Sequence, residues 1–475
     1  MTWILAQAGA PSALMLAAAA VAVVVGFGFI AVNPRFGLAV PAVLLFFSAL
    51  GVSRTADREL IPTIISPVEL YRSEICGLLG LGILLAVVLA GGFRAVRVSG
   101  QVVILILIGI YGGLLRTIHS TPIDAGLTIG MVFALQAGVG IFLPMLIRDR
   151  DDILRVLRYV GLAATALCGL TALQLVVNPA PMLLANRFSG FSTNPQSIGL
   201  FCSIMTGVTV WLALFETRLF MRVVWLLTAA TLTIFALWTG SRTAFALTLL
   251  VVTAVAYRRV GKVLLLAPVA GVLGLIAFTV LRGLIQGEAP AVERITSLEN
   301  TRAVVWQRMW IRAMERPILG WGVGDAGGSE NSFLYAFASG GVGMAALVVA
   351  LYAVTIWLVF KVWRARKTLA PRFRSLADLV IGVNGAYLAA SVTEGIMITR
   401  VGPWLMIILV TSVVATHLHL FRPDAAAEEQ EGREALDAGA ADDEPFGTLA
   451  AGVGSRGGRR GPGGGYGTGA AGDGG

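Results

Sequence analysis

Four arginines recur at intervals of four to six residues, Arg302, Arg308, Arg312 and Arg316, interleaved with Trp306, Met309, Trp310 and Met314. The alternation predicts an amphipathic helix over 301–315 lying along an interface. Pro317 stops it, and Gly320, Gly322, Gly324, Gly327 and Gly328 then allow a backbone that a ligand can approach closely. A guanidinium grips phosphate through two parallel N–H bonds and stays charged beside lipid. The chemistry to expect is phosphate or pyrophosphate recognition, and contact with lipid headgroups is the plainer alternative.

Two further segments carry arginines of the same kind. NRFSGFSTNPQS, residues 186–197, brings Arg187, Asn194 and Gln196 to the mouth of a helix. TGSRTAF, residues 239–245, sets Arg242 where two apolar runs meet. An arginine at membrane depth costs roughly 2.5–3.5 kcal/mol on insertion scales and is a functional candidate by default. Its bland role is to snorkel from a helix end, but Arg242 has little helix to snorkel past.

The elements that must position these residues are membrane helices. Hydrophobic residues make up 57% of the 475-residue chain and charged ones only 13%, against about 25% charged in soluble domains. Apolar runs of about 17–25 residues are long enough to cross hydrocarbon as helix. Their backbone groups must be satisfied within the segment, and the short alternating strands of a membrane barrel are absent from the sequence. The runs predict an all-α polytopic protein with about 12–13 transmembrane helices. They lie near 12–32, 37–52, 75–92, 101–115, 126–147, 153–177, 197–215, 222–239, 243–257, 263–281, 332–360, 378–395 and 403–420. The first also resembles a signal peptide, but it has no basic start and is read as a retained helix.

Cationic clusters fall at Arg94/Arg97, Arg148–Arg158, Arg218/Arg222, Arg258–Lys262 and Lys361–Arg374. All lie on one side of this map, which the positive-inside rule makes cytoplasmic. The loop 282–331 then faces outward, so its arginines run against the usual charge bias. Residues 1–177 form an N-terminal set of helices, 178–421 a core containing that loop, and 422–475 a tail. The tail holds five arginines against ten carboxylates and ends in glycine, a composition expected to be a disordered cytoplasmic extension. Cys76, Cys168 and Cys202 fall inside helices and read as packing residues, with no disulfide framework. His417 and His419, two apart, are expected on different faces of a helix, and His119 sits in a short outer loop beside Arg116. No spacing suggests a metal site, and no phosphate-binding or dinucleotide motif is present.

Four segments in order resemble the O-antigen ligase and polymerase family of integral membrane glycosyltransferases. They are RFSGF-x-x-NPQSIG from Arg187, SRTAFALTLLV from Ser241, WIRAMERPILGWGVG from Trp310 and ENSFLYAFASGGVGMAAL from Glu330. The resemblance implies a GT-C-like, all-helical enzyme of the bacterial inner membrane whose active site faces the periplasm through a large outer loop. Its donor would be an undecaprenyl-pyrophosphate-linked glycan and its acceptor a sugar hydroxyl, on lipid A-core for a ligase or on another lipid-linked repeat for a polymerase. No metal, nucleotide sugar, soluble cofactor or nucleic acid is expected. Membrane lipids and polysaccharide export or chain-length proteins are the implied partners.

Members often carry His before Asn or Ser ahead of the helix that follows the large loop. Here Glu330 stands at that position, followed by Asn331 and Ser332. A carboxylate can accept a hydroxyl proton as imidazole does. This departure tilts the reading from ligase towards a polymerase of surface polysaccharide. On it, Arg187 and Arg242 bind the pyrophosphate and stabilise the leaving group, assisted by Arg302 and Arg308. Glu330 activates the acceptor, Asn331 orients it or the donor, and Asn194 helps to bind substrate. Glu394 is a second base or an ion-pair partner of Arg400. A transporter of lipid-linked glycan is the rival of another class, although neither midplane charge pairs nor an internal repeat is visible.

Overall fold

The computed structural model describes residues 24–50, 63, 65, 72–91, 93–119, 122–184, 187–191, 194–260, 302–322, 326, 328–397 and 402–423. The chain divides into two units, Met1–Ala426 and Ala427–Gly475. The tail expectation from residue 424 onward, the helix near 263–281, loop residues 282–301 and Arg400 lie outside the described residues. So does the first expected helix up to residue 23, while 24–32 is helical.

The described part of the first unit is mostly helical. In chain order its helices are α1 (Val40–Ala49), α2 (Arg72–Leu89), α3 (Gly100–His119), α4 (Pro122–Ala137) and α5 (Arg150–Val177). They continue with α6 (Pro195–Phe215), α7 (Leu219–Trp238), α8 (Arg242–Val260), α9 (Arg302–Glu315), α10 (Ser332–Ala365), α11 (Arg374–Thr393) and α12 (Pro403–Thr416). Six are long and apolar enough to cross a membrane, and five shorter apolar helices accompany them. Eleven of the thirteen expected segments thus fall on apolar helices. Their outward faces carry large apolar side chains, among them Leu226, Leu227, Ile234, Val349 and Ile356. Water would penalise so much exposed apolar surface, and lipid does not. The chain fits an all-α polytopic membrane protein.

Small residues let the helices approach closely. A Cβ on Gly207 of α6 would lie 2.0 Å from a methyl of Val251 on α8. Side-chain amides and hydroxyls add cross-links. Gln101 of α3 donates to Thr355 of α10 (2.9 Å) and Asn384 of α11 (3.1 Å) and accepts from Ser412 of α12. All four residues are buried, so one amide ties four helices where no water competes.

Two helices depart from the expected continuous spans. A π turn, Gly138–Phe142, follows α4. In α10, Gly341 has φ 66° and ψ −164°, breaking the helix nine residues in. The unbroken part, 342–365, is about 36 Å long and sufficient to cross a bilayer alone. The turn after α9 docks into the break: Val342 N donates to Pro317 O (2.8 Å), Trp321 N to Ala338 O (2.9 Å) and Gly322 N to Ser339 O (2.9 Å). These bonds, with Tyr111 Oη to Gly340 O (3.2 Å), occupy backbone groups the break exposes.

Candidate functional site

The site is built around the C-terminal end of α11. A helix leaves its last carbonyls without intrahelical partners, and here three consecutive ones are taken by side chains from other elements. Asn331 Nδ2 donates to Val392 O (2.8 Å), Arg302 Nη1 to Thr393 O (2.8 Å) and Ser332 Oγ to Glu394 O (2.6 Å). A guanidinium suits this position because the carbonyl end of a helix is its negative pole. Arg302 also forms an ion pair with Glu394, Nη2 to Oε1 at 2.8 Å. The Arg302 side chain keeps 22% of its exposure and Glu394 8%. The Arg400 pairing considered from sequence falls outside the described residues, and the described partner of Glu394 is Arg302.

Local sequence explains each approach. Arg302 opens α9, whose Val305, Trp306, Met309 and Ala313 turn inward. Val304, Trp310, Ile311 and Met314 stay exposed, so Trp310 and Met314 part from Trp306 and Met309. Trp306 Nε1 donates to Glu330 O (3.2 Å), tying the middle of α9 to the loop before α10. Asn331 caps α10 by accepting from Phe333 N (2.9 Å) and Leu334 N (3.0 Å). Its amide nitrogen remains for α11, so one side chain both starts a helix and joins it to another.

Arg187 reaches the same region from a two-stranded hairpin, β1 (Leu183–Leu184) and β2 (Arg187–Phe188). The next residue, Phe188, is buried and stacks on Phe235 (4.5 Å between centroids) and Trp238 (5.4 Å) of α7. Arg187 Nε donates to Thr239 O (2.7 Å) just past α7. Thr239, Gly240 (φ 63°) and Ser241 make the turn into α8, with Ser241 Oγ accepting from Ala244 N (3.3 Å). Arg242 stands exposed at the first position of α8. Its neighbour Thr243 faces Thr393 of α11 across 3.5 Å between hydroxyls.

Glu394 feels all of this. Burial pushes its carboxyl up to about 7, Arg302 and Arg187 pull it down, and Glu330 pushes it up. Of the sequence candidates, Arg187, Arg302, Glu330 and Glu394 therefore form one electrostatic group, Asn331 joins the same helix end through Val392 O, and Arg242 adjoins it through Thr243. Glu330 is half-buried, with Oε2 accepting from Ser329 N (2.9 Å).

Two candidates remain. Arg308 is exposed on α9, about 9 Å further along the axis than Arg302. Asn194 caps α6, its side chain accepting from Gln196 N (2.8 Å). Arg312 and Arg316 stack over Trp321, 4.9 and 3.9 Å from the ring centre, so they hold the turn after α9.

Thr393, Ser332 and Thr239 escaped the sequence reading because hydroxyls and carbonyls at helix ends carry no compositional signal. The histidine expectation is corrected. α12 ends at Thr416, and His417 and His419 lie in the tighter turn beyond, with rings stacked at 6.0 Å instead of diverging. Among the described residues, no three His, Cys, Asp or Glu side chains gather to hold a metal ion. Cys76, Cys168 and Cys202 are buried.

No protein-family model matches the chain, and no curated protein matches it.

Proposed function

We propose that this chain is a GT-C-like membrane glycosyltransferase of the O-antigen ligase and polymerase type, with about 12–13 transmembrane helices. On this reading it works in the bacterial inner membrane and takes its glycan from undecaprenyl pyrophosphate at the periplasmic face. Its most fitting reaction is polymerisation of surface polysaccharide repeats, exopolysaccharide or O-antigen. The observation that carries the proposal is the meeting of Arg187 and Arg302 with Glu330 and Glu394 around the end of α11. That end is the one remote from the Arg372/Arg374 cluster where α11 begins.

Glycosyl transfer needs little more than such a group. The acceptor hydroxyl attacks the anomeric carbon, the bond from that carbon to the pyrophosphate oxygen breaks, and the proton passes to Glu330. Arg187 and Arg242 stabilise the charge left on the pyrophosphate, and Asn331 and Asn194 hold substrate. Transfer to lipid A-core is the second reading within the family. Glu330, where members often carry histidine, favours the polymerase.

The test is reconstitution with a lipid-linked oligosaccharide, assayed for chain growth and for transfer to lipid A-core. Chain growth lost in Arg242→Ala and Glu330→Ala supports the proposal. Undiminished transfer in both variants overturns the site, and translocation of glycan without a new glycosidic bond makes the chain a transporter instead.

A further inference from the structure

We infer that Glu394 sits on Arg302 in the place of the donor's pyrophosphate, and that the anion, on binding, takes over the guanidinium and leaves Glu394 as the neutral acid. The inference rests on the reading of the site as one for a lipid-linked pyrophosphate. It gives Glu394, a second candidate base in the sequence, the different task of positioning Arg302.

The geometry is that of a fork already in use. Arg302 spends both terminal nitrogens on α11, Nη1 on Thr393 O and Nη2 on Glu394 Oε1. These are the paired donors with which arginine grips a phosphate edge. The side chain is partly exposed, so an anion can reach it, whereas the carboxylate behind it is buried. An anion that takes this Nη1–Nη2 edge must therefore displace Glu394, whereas one held by the remaining N–H groups of Arg302 leaves the pair in place.

Displaced, the carboxylate has poor alternatives. It lies at the negative end of α11, where an anion is disfavoured. The charged and titratable groups facing it are Arg302 from α9, Glu330 from the loop before α10 and Arg187 from β2. Arg242 begins the adjoining helix α8. Without Arg302 the nearest balance shifts towards Glu330, a like charge. The remaining solution is a proton taken from bulk water, which burial already favours by lifting this carboxyl to about 7. Glu394 thus keeps Arg302 aimed and the buried site neutral while the donor is absent.

The experiment uses the full chain in lipid nanodiscs with inorganic pyrophosphate as probe. Calorimetric titration at about pH 8, in two buffers of different ionisation enthalpy, counts protons exchanged on binding. The wild type is expected to take up close to one proton more than Glu394→Gln. The variant should bind about tenfold tighter at about pH 8 and equally well at about pH 6, since one pH unit above the carboxyl's value is a factor of ten. Infrared difference spectra of the wild type alone should gain a protonated-carboxyl band when pyrophosphate is added. Equal proton counts and affinities in the two forms, with no new band, overturn the exchange while leaving the pyrophosphate site standing. Absence of pyrophosphate binding in both forms overturns the exchange and the donor reading together.

Discussion

Arg302 and Glu394 join the first residue of α9 to the residue capping α11, through an ion pair of 2.8 Å. The same guanidinium binds Thr393 O, so the helix that carries Arg302, Arg308 and Arg312 is fastened at the centre of the candidate site. Breaking a buried pair from one side costs more than the pair contributes, because the other charge is stranded. That asymmetry shapes the first expectation.

Stability should depend on pH through Glu394. Its carboxyl is raised in the folded protein to about 7 from an ordinary 4.5, so the folded state holds this proton more firmly than the unfolded one. The stabilisation is fully present below the ordinary value and is lost as pH rises through about 7. Relative to Glu394→Gln, the wild type should lose up to about 3 kcal/mol between about pH 5 and pH 8. Thermal unfolding in detergent across that range checks it, and parallel pH profiles for the two forms would contradict it. Arg302→Ala should steepen the loss, because the stranded carboxylate then has to take up a proton or remain an uncompensated charge.

Arg187→Ala should lower glycan transfer by about 10²–10³-fold, the usual effect of removing one donor that stabilises developing charge. Arg187→Lys should rescue little of it. A lysine's three donors share one nitrogen, so it cannot hold Thr239 O, as Arg187 Nε does at 2.7 Å, and also offer a ligand the two parallel N–H bonds of a guanidinium edge. Initial rates at saturating and limiting donor separate the loss into turnover and binding. Full activity of the lysine variant would show that charge alone suffices.

Gly341→Ala should destabilise the protein by about 2–3 kcal/mol or more, since its backbone region is open essentially to glycine alone. The added Cβ would also lie 2.0 Å from Ile318 O, a backbone atom that cannot swing away. The turn docked there would be expelled, and with it the Trp321 ring under Arg312 and Arg316. Lower thermal stability and faster proteolysis within 316–322 are the readouts, and a wild-type melting curve would remove the docking argument.

The sequence by itself determined the class of molecule, because hydropathy is additive along the chain. Apolar runs such as 197–215 must become helices in lipid whatever surrounds them, and α6 spans Pro195–Phe215. It also marked local punctuation, such as the end of α9 at Glu315 ahead of Pro317. The tertiary structure alone decided which charges meet. Arg302 and Glu394 stand 92 positions apart, and nothing in either neighbourhood encodes the other. Their pairing follows from how α9 lies against α10 and α11, and from carbonyls at the end of α11 that only a three-dimensional neighbour can satisfy. The arginines of α9 and of the turn after it look alike in the chain, yet one enters the site, two clasp Trp321 and Arg308 remains exposed. Helical phase and the docking of the turn into the Gly341 break separate them, and neither is a property of composition.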